Sequence, residues 1–305
     1  MKMIWNCAIP TIYLLFIHTI ATPAGQDLTI KDDLGYTHVL GVPPQRIISL
    51  APNVTEILFA LGLEKRIIGV TRYCNYPKQA QTKNHIGGMV DPNLEKIIDL
   101  HPDLIIAFRG NPLRLVLRLK DLKLPVFVLE EGTTLESVFF LIKRIGLVTR
   151  REKEAGGLVD RLQGNLKRME TSLKNVEIRP KVFINLHGKG LWTCGKSSFL
   201  NDLVLKAKGV NIAGGVSRTW FSYNREELIH QNPDYIVVIT KSKEDFLGAK
   251  KWFSKEAHLE TIPAVQKENI YYLNEDLVTR PGPRIFEALD QLARILHPAS
   301  FKDVK

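Results

Sequence analysis

At 305 residues, with 45% hydrophobic and 24% charged side chains, the chain is too apolar for a disordered or fibrous protein and long enough for two lobes, each able to bury its own core. A net charge of +10 raises nucleic acid or a membrane surface as partners. The basic residues are scattered, however, and from Lys143 to Arg168 they alternate with Glu152, Glu154 and Asp160, the pattern of a solvated helix face, so no nucleic-acid partner is expected.

In chain order, Lys2 precedes an apolar run from Met3 to Ile20, followed by Ala21, Thr22, Pro23 and Ala24. This predicts a secretory leader over 1–24, removed after Ala21 or Ala24. An uncleaved membrane span is the competing reading, but Asn6, Pro10 and His18 interrupt a run already short for one. Cys7 stands too early to carry a lipid after the apolar run. Export leaves Cys74 and Cys194 in an oxidising compartment, where two cysteines can pair. A bridge between the two halves of the chain would oppose their opening, so free thiols are expected.

Arg46–Leu50 (RIISL) and Lys181–Leu186 (KVFINL) read as buried strands. Each is followed by a helix, Thr55–Leu61 and Ser198–Ala207, closing on Gly62 and Gly209. Further strands are expected at Ile67–Thr71, Val126–Leu129 and Ile270–Leu273. Short apolar strands alternating with helices predict an α/β protein built of parallel sheets covered on both faces. Between the halves, Leu158, Leu162, Leu166, Met169 and Leu173 recur at helical spacing across Thr149–Asn175. The expected organisation is an N-terminal lobe over 25–148, a connecting helix over 149–178 and a C-terminal lobe over 179–305. A stiff helical connector limits how far the lobes can swing.

An internal repeat supports two similar lobes. Asn93-Leu94-Glu95-Lys96-Ile97-Ile98 matches Asn224-Arg225-Glu226-Glu227-Leu228-Ile229, and nine positions after each Asn comes Pro-Asp and an apolar run, at Pro102 and Pro233. Asn caps the helix, Glu in the first turn suits the helix dipole, and Pro ends the helix before a buried strand. Ligands of open α/β sheets sit outside the carboxyl ends of the strands, so two facing sheets place a site in the cleft between them.

Arg46–Gly62, Gly69–Pro77, Asn93-Leu94-Glu95, Ile106–Gly110, Trp220 before Asn224-Arg225-Glu226, and Arg280–Ile285 together resemble the periplasmic binding proteins of ABC importers for vitamin B12, siderophores and haem, the vitamin B12-binding members most of all. The likeness runs from about Pro44 to His297. It implies a monomeric, non-enzymatic protein of two open α/β sandwich lobes joined by one long helix with restricted hinge motion. It also implies that Glu95 and Glu226 dock on Arg residues of paired transmembrane permease subunits. A two-fold partner presents the same charge twice, so each lobe needs its own Glu; the plainer alternative is a first-turn residue serving its own helix. The resemblance implies a ligand that is cobalamin or a related corrinoid, with haem or a ferric siderophore as alternatives, and no resident cofactor or metal. Matching ligand positions are Tyr73, Phe108, Trp220, Asp276 and Arg280, where aromatic walls flank a broad apolar disc and polar groups bind its amide fringe. Met89 and Trp192 complete the expected set. Two departures from the pattern are Gly87-Gly88-Met89 in place of a Trp, where Gly opens space and Met adapts, and Thr279 in place of an acid.

Two other chemistries compete. Gly190–Ser197 (GLWTCGKS) fits the phosphate-binding pattern G-x-x-x-x-G-K-[ST] and would make the chain an ATPase. Against it, the motif falls late, and no apolar strand ends in an Asp suited to magnesium. His187, at a strand's carboxyl end, could ligate cobalt or iron, although a buried, hydrogen-bonded imidazole is the expected state.

Overall fold

Continuous runs of buried Ile, Val and Leu set the two sheets of this computed structural model, which describes residues 28–130 and 132–301. The expected leader and Cys7 lie outside the described residues. No helix among the described residues is long and apolar enough to cross a membrane.

The first lobe opens with an antiparallel hairpin of β1 (Leu28–Lys31) and β2 (Thr37–Leu40). Then come β3 (Ile47–Ser49), α1 (Pro52–Ala60), β4 (Ile67–Val70), β5 (Asn84–His85), α2 (Leu94–Asp99), β6 (Leu104–Phe108), α3 (Leu113–Asp121), β7 (Val126–Leu129) and α4 (Leu135–Val148). The five central strands form one parallel sheet in the order β5-β4-β3-β6-β7. α5 (Glu152–Ser172) connects the lobes. It is shorter at both ends than expected, because Thr149 closes α4, Arg150 takes a left-handed φ of 56°, and Leu173 caps the far end.

The second lobe contains β8 (Lys181–Leu186), β9 (Trp192–Cys194), α6 (Phe199–Lys206), β10 (Val210–Asn211), β11 (Trp220–Ser222), α7 (Arg225–Gln231), β12 (Tyr235–Thr240), α8 (Lys243–Phe253), α9 (Pro263–Gln266), β13 (Ile270–Asn274), α10 (Glu275–Val278) and α11 (Ile285–Leu296). Its parallel sheet has the order β10-β8-β12-β13, with β9 and β11 standing apart as a two-stranded antiparallel ribbon.

The repeat is physical at each position. Asn93 and Asn224 cap α2 and α7, each accepting a backbone N–H at 2.9 Å. Eight residues on, His101 and Asn232 both turn left-handed, with φ of 44° and 55°, which ends the helix one residue before the proline. The aspartates after the prolines do the same work in each lobe: Asp103 accepts the Arg46 N–H at 2.8 Å and Asp234 the Lys181 N–H at 2.8 Å. Each aspartate thus pins the start of its lobe's central strand. The glycines are less alike. Gly62 is left-handed after α1, but after α6 it is Lys208 that turns left-handed. Gly209 is needed for space instead, since a Cβ there would stand 3.0 Å from both Leu296 and Val204.

Each lobe keeps an apolar cluster of its own, around Ile48 and Ile105 in the first and around Phe183 and Ile236 in the second, and a third core joins them. This joining cluster runs from Ile106 and Phe139 in the first lobe, through Leu158 and Leu162 of α5, to Ile184, Phe286 and Leu289 in the second. Phe139 stacks on Phe286 at 5.0 Å between centroids, and Asp202 of α6 accepts the Leu135 N–H at the head of α4 at 2.8 Å. A swing of one lobe must shear this shared core, whose close packing tolerates little displacement. The stiffness thus resides in packing as well as in the connector. Cys74 and Cys194 are free, buried thiols, and burial raises both, Cys194 to about 12.

Candidate binding cleft between the lobes

The carboxyl ends of the two sheets face one another. Asn75, after β4, donates to Asp276 of α10 at 2.7 Å, and Asn53, at the head of α1, donates to the Pro281 carbonyl at 3.4 Å. These contacts join the loop after β4 and the head of α1 to α10 and the segment that follows it, closing one edge between the lobes.

On the first lobe, Tyr73 is 45% exposed. The Arg72 guanidinium lies 5.2 Å from the Tyr73 ring centre, donates to the hydroxyl at 3.3 Å and pairs with Asp91 at 2.9 Å. That pair crosses directly over Gly88, where a Cβ would stand 2.1 Å from Asp91 Oδ1 and 2.8 Å from Arg72 Nη2. Gly87 has a φ of 98°. The two glycines therefore serve a tight turn and a close ion pair, and do not open pocket space as expected. Met89 is half-buried beside them, with its carbonyl held by Asn111 Nδ2 at 2.8 Å. Asn111 also donates to the Leu50 carbonyl at 3.0 Å and accepts the Phe108 N–H at 2.8 Å, so it ties three cleft loops together. Phe108 itself is only 4% exposed and packs in the shared core, so the expected ligand role for its ring gives way to packing.

The second lobe supplies the ribbon. Trp192 and Trp220 are 48% and 41% exposed. The register sets Trp220 opposite Cys194 and Ser222 opposite Trp192, which makes the two tryptophans diagonal neighbours on one ribbon face, about 7–8 Å apart at that spacing. Gly195 lets the chains approach, because a Cβ there would stand 2.4 Å from the Val216 carbonyl. The same contacts exclude a phosphate loop at Gly190–Ser197. Its centre is a β-strand, and the Gly195 and Lys196 N–H groups that would cradle phosphate donate to Thr219 and Val216 carbonyls at 3.2 and 2.8 Å. His187 contradicts the expectation of burial: it is exposed, left-handed at φ 65°, and its ring has no hydrogen bond among the described residues. No group of three or more His, Cys, Asp or Glu side chains among the described residues is placed to hold a metal ion.

Asp276 and Arg280 belong to the contact between lobes. Arg280 donates to Asp276 at 2.6 Å, to Asn75 at 2.6 Å and to the Tyr73 carbonyl at 3.2 Å, and reaches Glu56 at 3.5 Å. Its side chain is 11% exposed. These two residues brace the Tyr73 loop from the opposite lobe. Glu56, whose side chain is 2% exposed, is further clasped by Arg284, whose Nε donates at 2.9 Å. Arg284 lies 3.9 Å from the Tyr76 ring centre. Burial opposes the Arg284 charge, but the Glu56 hydrogen bond and charge outweigh it and hold the guanidinium above its ordinary value. Sequence reasoning placed Asn75, Asn111 and Arg284 within cleft-lining segments without giving them roles, and missed Glu56. Glu56 had a signal, being the single acid in an otherwise apolar helix, where a buried carboxylate requires a partner.

Glu95 and Glu226 each occupy the second position of their helix, exposed and without a side-chain partner among the described residues. Two grooves are present among the described residues. One of about 520 Å³ separates α5 from α11, and another of about 400 Å³ sits behind the Glu56–Arg284 pair, lined by Phe59, Tyr76 and Leu162. Neither includes Trp192, Trp220 or Tyr73.

Residues 47–277 match the periplasmic binding protein family. The chain belongs to that family. A relative of this periplasmic binding protein in Bacillus subtilis, described as an uncharacterized ABC transporter substrate-binding lipoprotein, is 30% identical over 295 residues, covering 95% of this chain and 88% of the relative. The crystal structure of the periplasmic vitamin B12 binding protein of Vibrio cholerae is similar with a TM-score of 0.73 and 27% identity, covering 86% of this chain and 99% of that one. The periplasmic haem-binding protein of Roseiflexus shares the fold, with a TM-score of 0.76 at 22% identity, covering 84% of this chain and 99% of that one. The two-lobed architecture is thus that of a solute-binding protein of the ABC importer family.

Proposed function

We propose that this protein captures a flat macrocycle, cobalamin or a related corrinoid, between its lobes and delivers it to the permease of an ABC importer. The observation that carries the reading is the pair of half-exposed tryptophans on one ribbon face of the second lobe, with exposed Tyr73 on the facing lobe. Aromatic surfaces on both sides of a cleft suit a broad disc better than a compact polar solute. The likeness to the vitamin B12-binding protein of Vibrio cholerae supports the corrinoid in particular.

In this reading the leader over 1–24 exports the chain, which works as a monomer outside the cytoplasmic membrane, and Glu95 and Glu226 engage the two permease subunits. ATP is hydrolysed by other subunits. Because the shared core resists a wide swing, release requires the docked permease to strain the lobes apart through both contacts at once. The test is titration of the purified protein with cyanocobalamin, cobinamide, haem and a ferric siderophore, followed by absorbance and heat. Saturable corrinoid binding is expected. Binding of haem or siderophore with neither corrinoid would overturn the ligand while leaving the transport role.

A further inference from the structure

The ribbon that presents Trp192 and Trp220 is also flanked by cations. Lys189 lies three residues before Trp192, Lys196 two after Cys194, and Arg218 two before Trp220. All three are exposed, and none has an ion pair or side-chain hydrogen bond among the described residues. The backbone gathers the latter two: the Lys196 and Arg218 N–H groups both donate to the Val216 carbonyl, at 2.8 Å each. From Gly188 to Ser222 the sequence contains a single acid, Asp202, and its carboxylate is turned to the α4–α6 contact, accepting the Leu135 N–H. On the facing loops Asp91 is engaged by Arg72 and Asp276 by Arg280 and Asn75, while Glu275 beside it on α10 has no side-chain partner among the described residues. An aromatic platform bordered by unpaired cations differs from what an uncharged disc requires. Amide groups on a ligand fringe are met equally well by neutral donors and acceptors, whereas unpaired cations reward an anion.

We infer that the ligand presents an anionic group, carboxylate or phosphate, at the edge of its flat ring, and that Lys196 and Arg218, aided by Lys189, select for it. This rests on the flat-macrocycle reading and narrows it. Two sources of the anion are distinguishable: the propionate carboxylates of a haem, or the phosphodiester of a complete corrinoid.

The test uses two matched pairs of probes, haemin against its dimethyl ester and cobalamin against dicyanocobinamide, titrated at low and high salt into the full-length mature protein and into its Lys196→Glu/Arg218→Glu variant. Within whichever pair binds, the anionic member is expected to bind about ten-fold tighter at low salt, since two exposed charge pairs of ordinary strength give a preference of that order. High salt and the double variant should each erase most of that preference. Unchanged thermal unfolding of the variant, whose substitutions are both exposed, establishes that it is folded. Equal binding of the two members, or a preference that survives charge reversal, overturns the inference while leaving the flat-macrocycle reading in place. Failure of both pairs to bind overturns the inference together with that reading.

Discussion

Replacing Glu56 by alanine removes the one carboxylate that faces both Arg280 and Arg284 across the lobe boundary. The two arginines are affected unequally. Arg280 keeps Asp276, Asn75 and the Tyr73 carbonyl, whereas Arg284 keeps the face of Tyr76 and the more distant charge of Asp276. Arg284 is then a cation whose side chain is 14% exposed, with no directly bonded carboxylate among the described residues. Breaking a buried pair in this way costs about 3–5 kcal/mol, because the remaining charge stays desolvated. For a protein of this size each kcal/mol lowers Tm by about 2–4 °C, so Glu56→Ala should melt roughly 6–20 °C below the parent. The assay is thermal and urea unfolding, with Glu95→Ala as the exposed control. The shared apolar core predicts that both lobes unfold in one transition. Glu56→Met with Arg284→Met removes both charges and should recover most of the loss, since replacing a whole buried pair by apolar groups is often neutral. A Glu56→Ala shift no larger than that of Glu95→Ala would refute the reasoning, and two separated transitions would refute the shared core.

Three further outcomes follow from the same structure. Asp32 is buried and accepts from His38, the Tyr36 N–H and Lys120; desolvation pushes its pKa up, but these partners outweigh it and leave the carboxyl below its ordinary 3.8. Its contribution is therefore present above about pH 4 and lost as pH falls through the lower folded value, so Asp32→Asn should lower stability at pH 7 and flatten the stability profile between pH 5 and 2. Gly195→Ala drives a Cβ against two backbone carbonyls, 2.4 and 2.5 Å away, and should cost about 1–3 kcal/mol and weaken ligand binding through the ribbon, as read by denaturation and titration. Glu95→Lys with Glu226→Lys should leave ligand affinity intact and abolish uptake in cells; intact uptake makes both ordinary first-turn residues.

The sheets were legible because strands of parallel sheets, buried on both faces, are written as unbroken apolar runs. Val126–Leu129 and Lys181–Leu186 were read at the bounds the structure gives them. The repeat was legible because capping is local: Asn93 and Asn224 bond within their own first turn. What the sequence concealed was long-range pairing. Trp192 and Trp220 each read as loop aromatics, and only the strand pairing of segments separated by a whole helix puts them on one face. The bracing role of Arg280 was hidden because its partners, Asn75 and Glu56, lie more than 200 positions away. Phe108 misled for a related reason, since a residue at a strand's carboxyl end is equally placed for the cleft or the core, and Asn111 pulls the following loop back over it.

The claim that a flat ligand is held between Tyr73 and the tryptophan ribbon is tested most directly by amide hydrogen exchange with and without the macrocycle that binds. The account predicts slowed exchange at both 71–77 and 192–222, on opposite lobes. Protection confined to the groove between α5 and α11, or to one lobe alone, would contradict it.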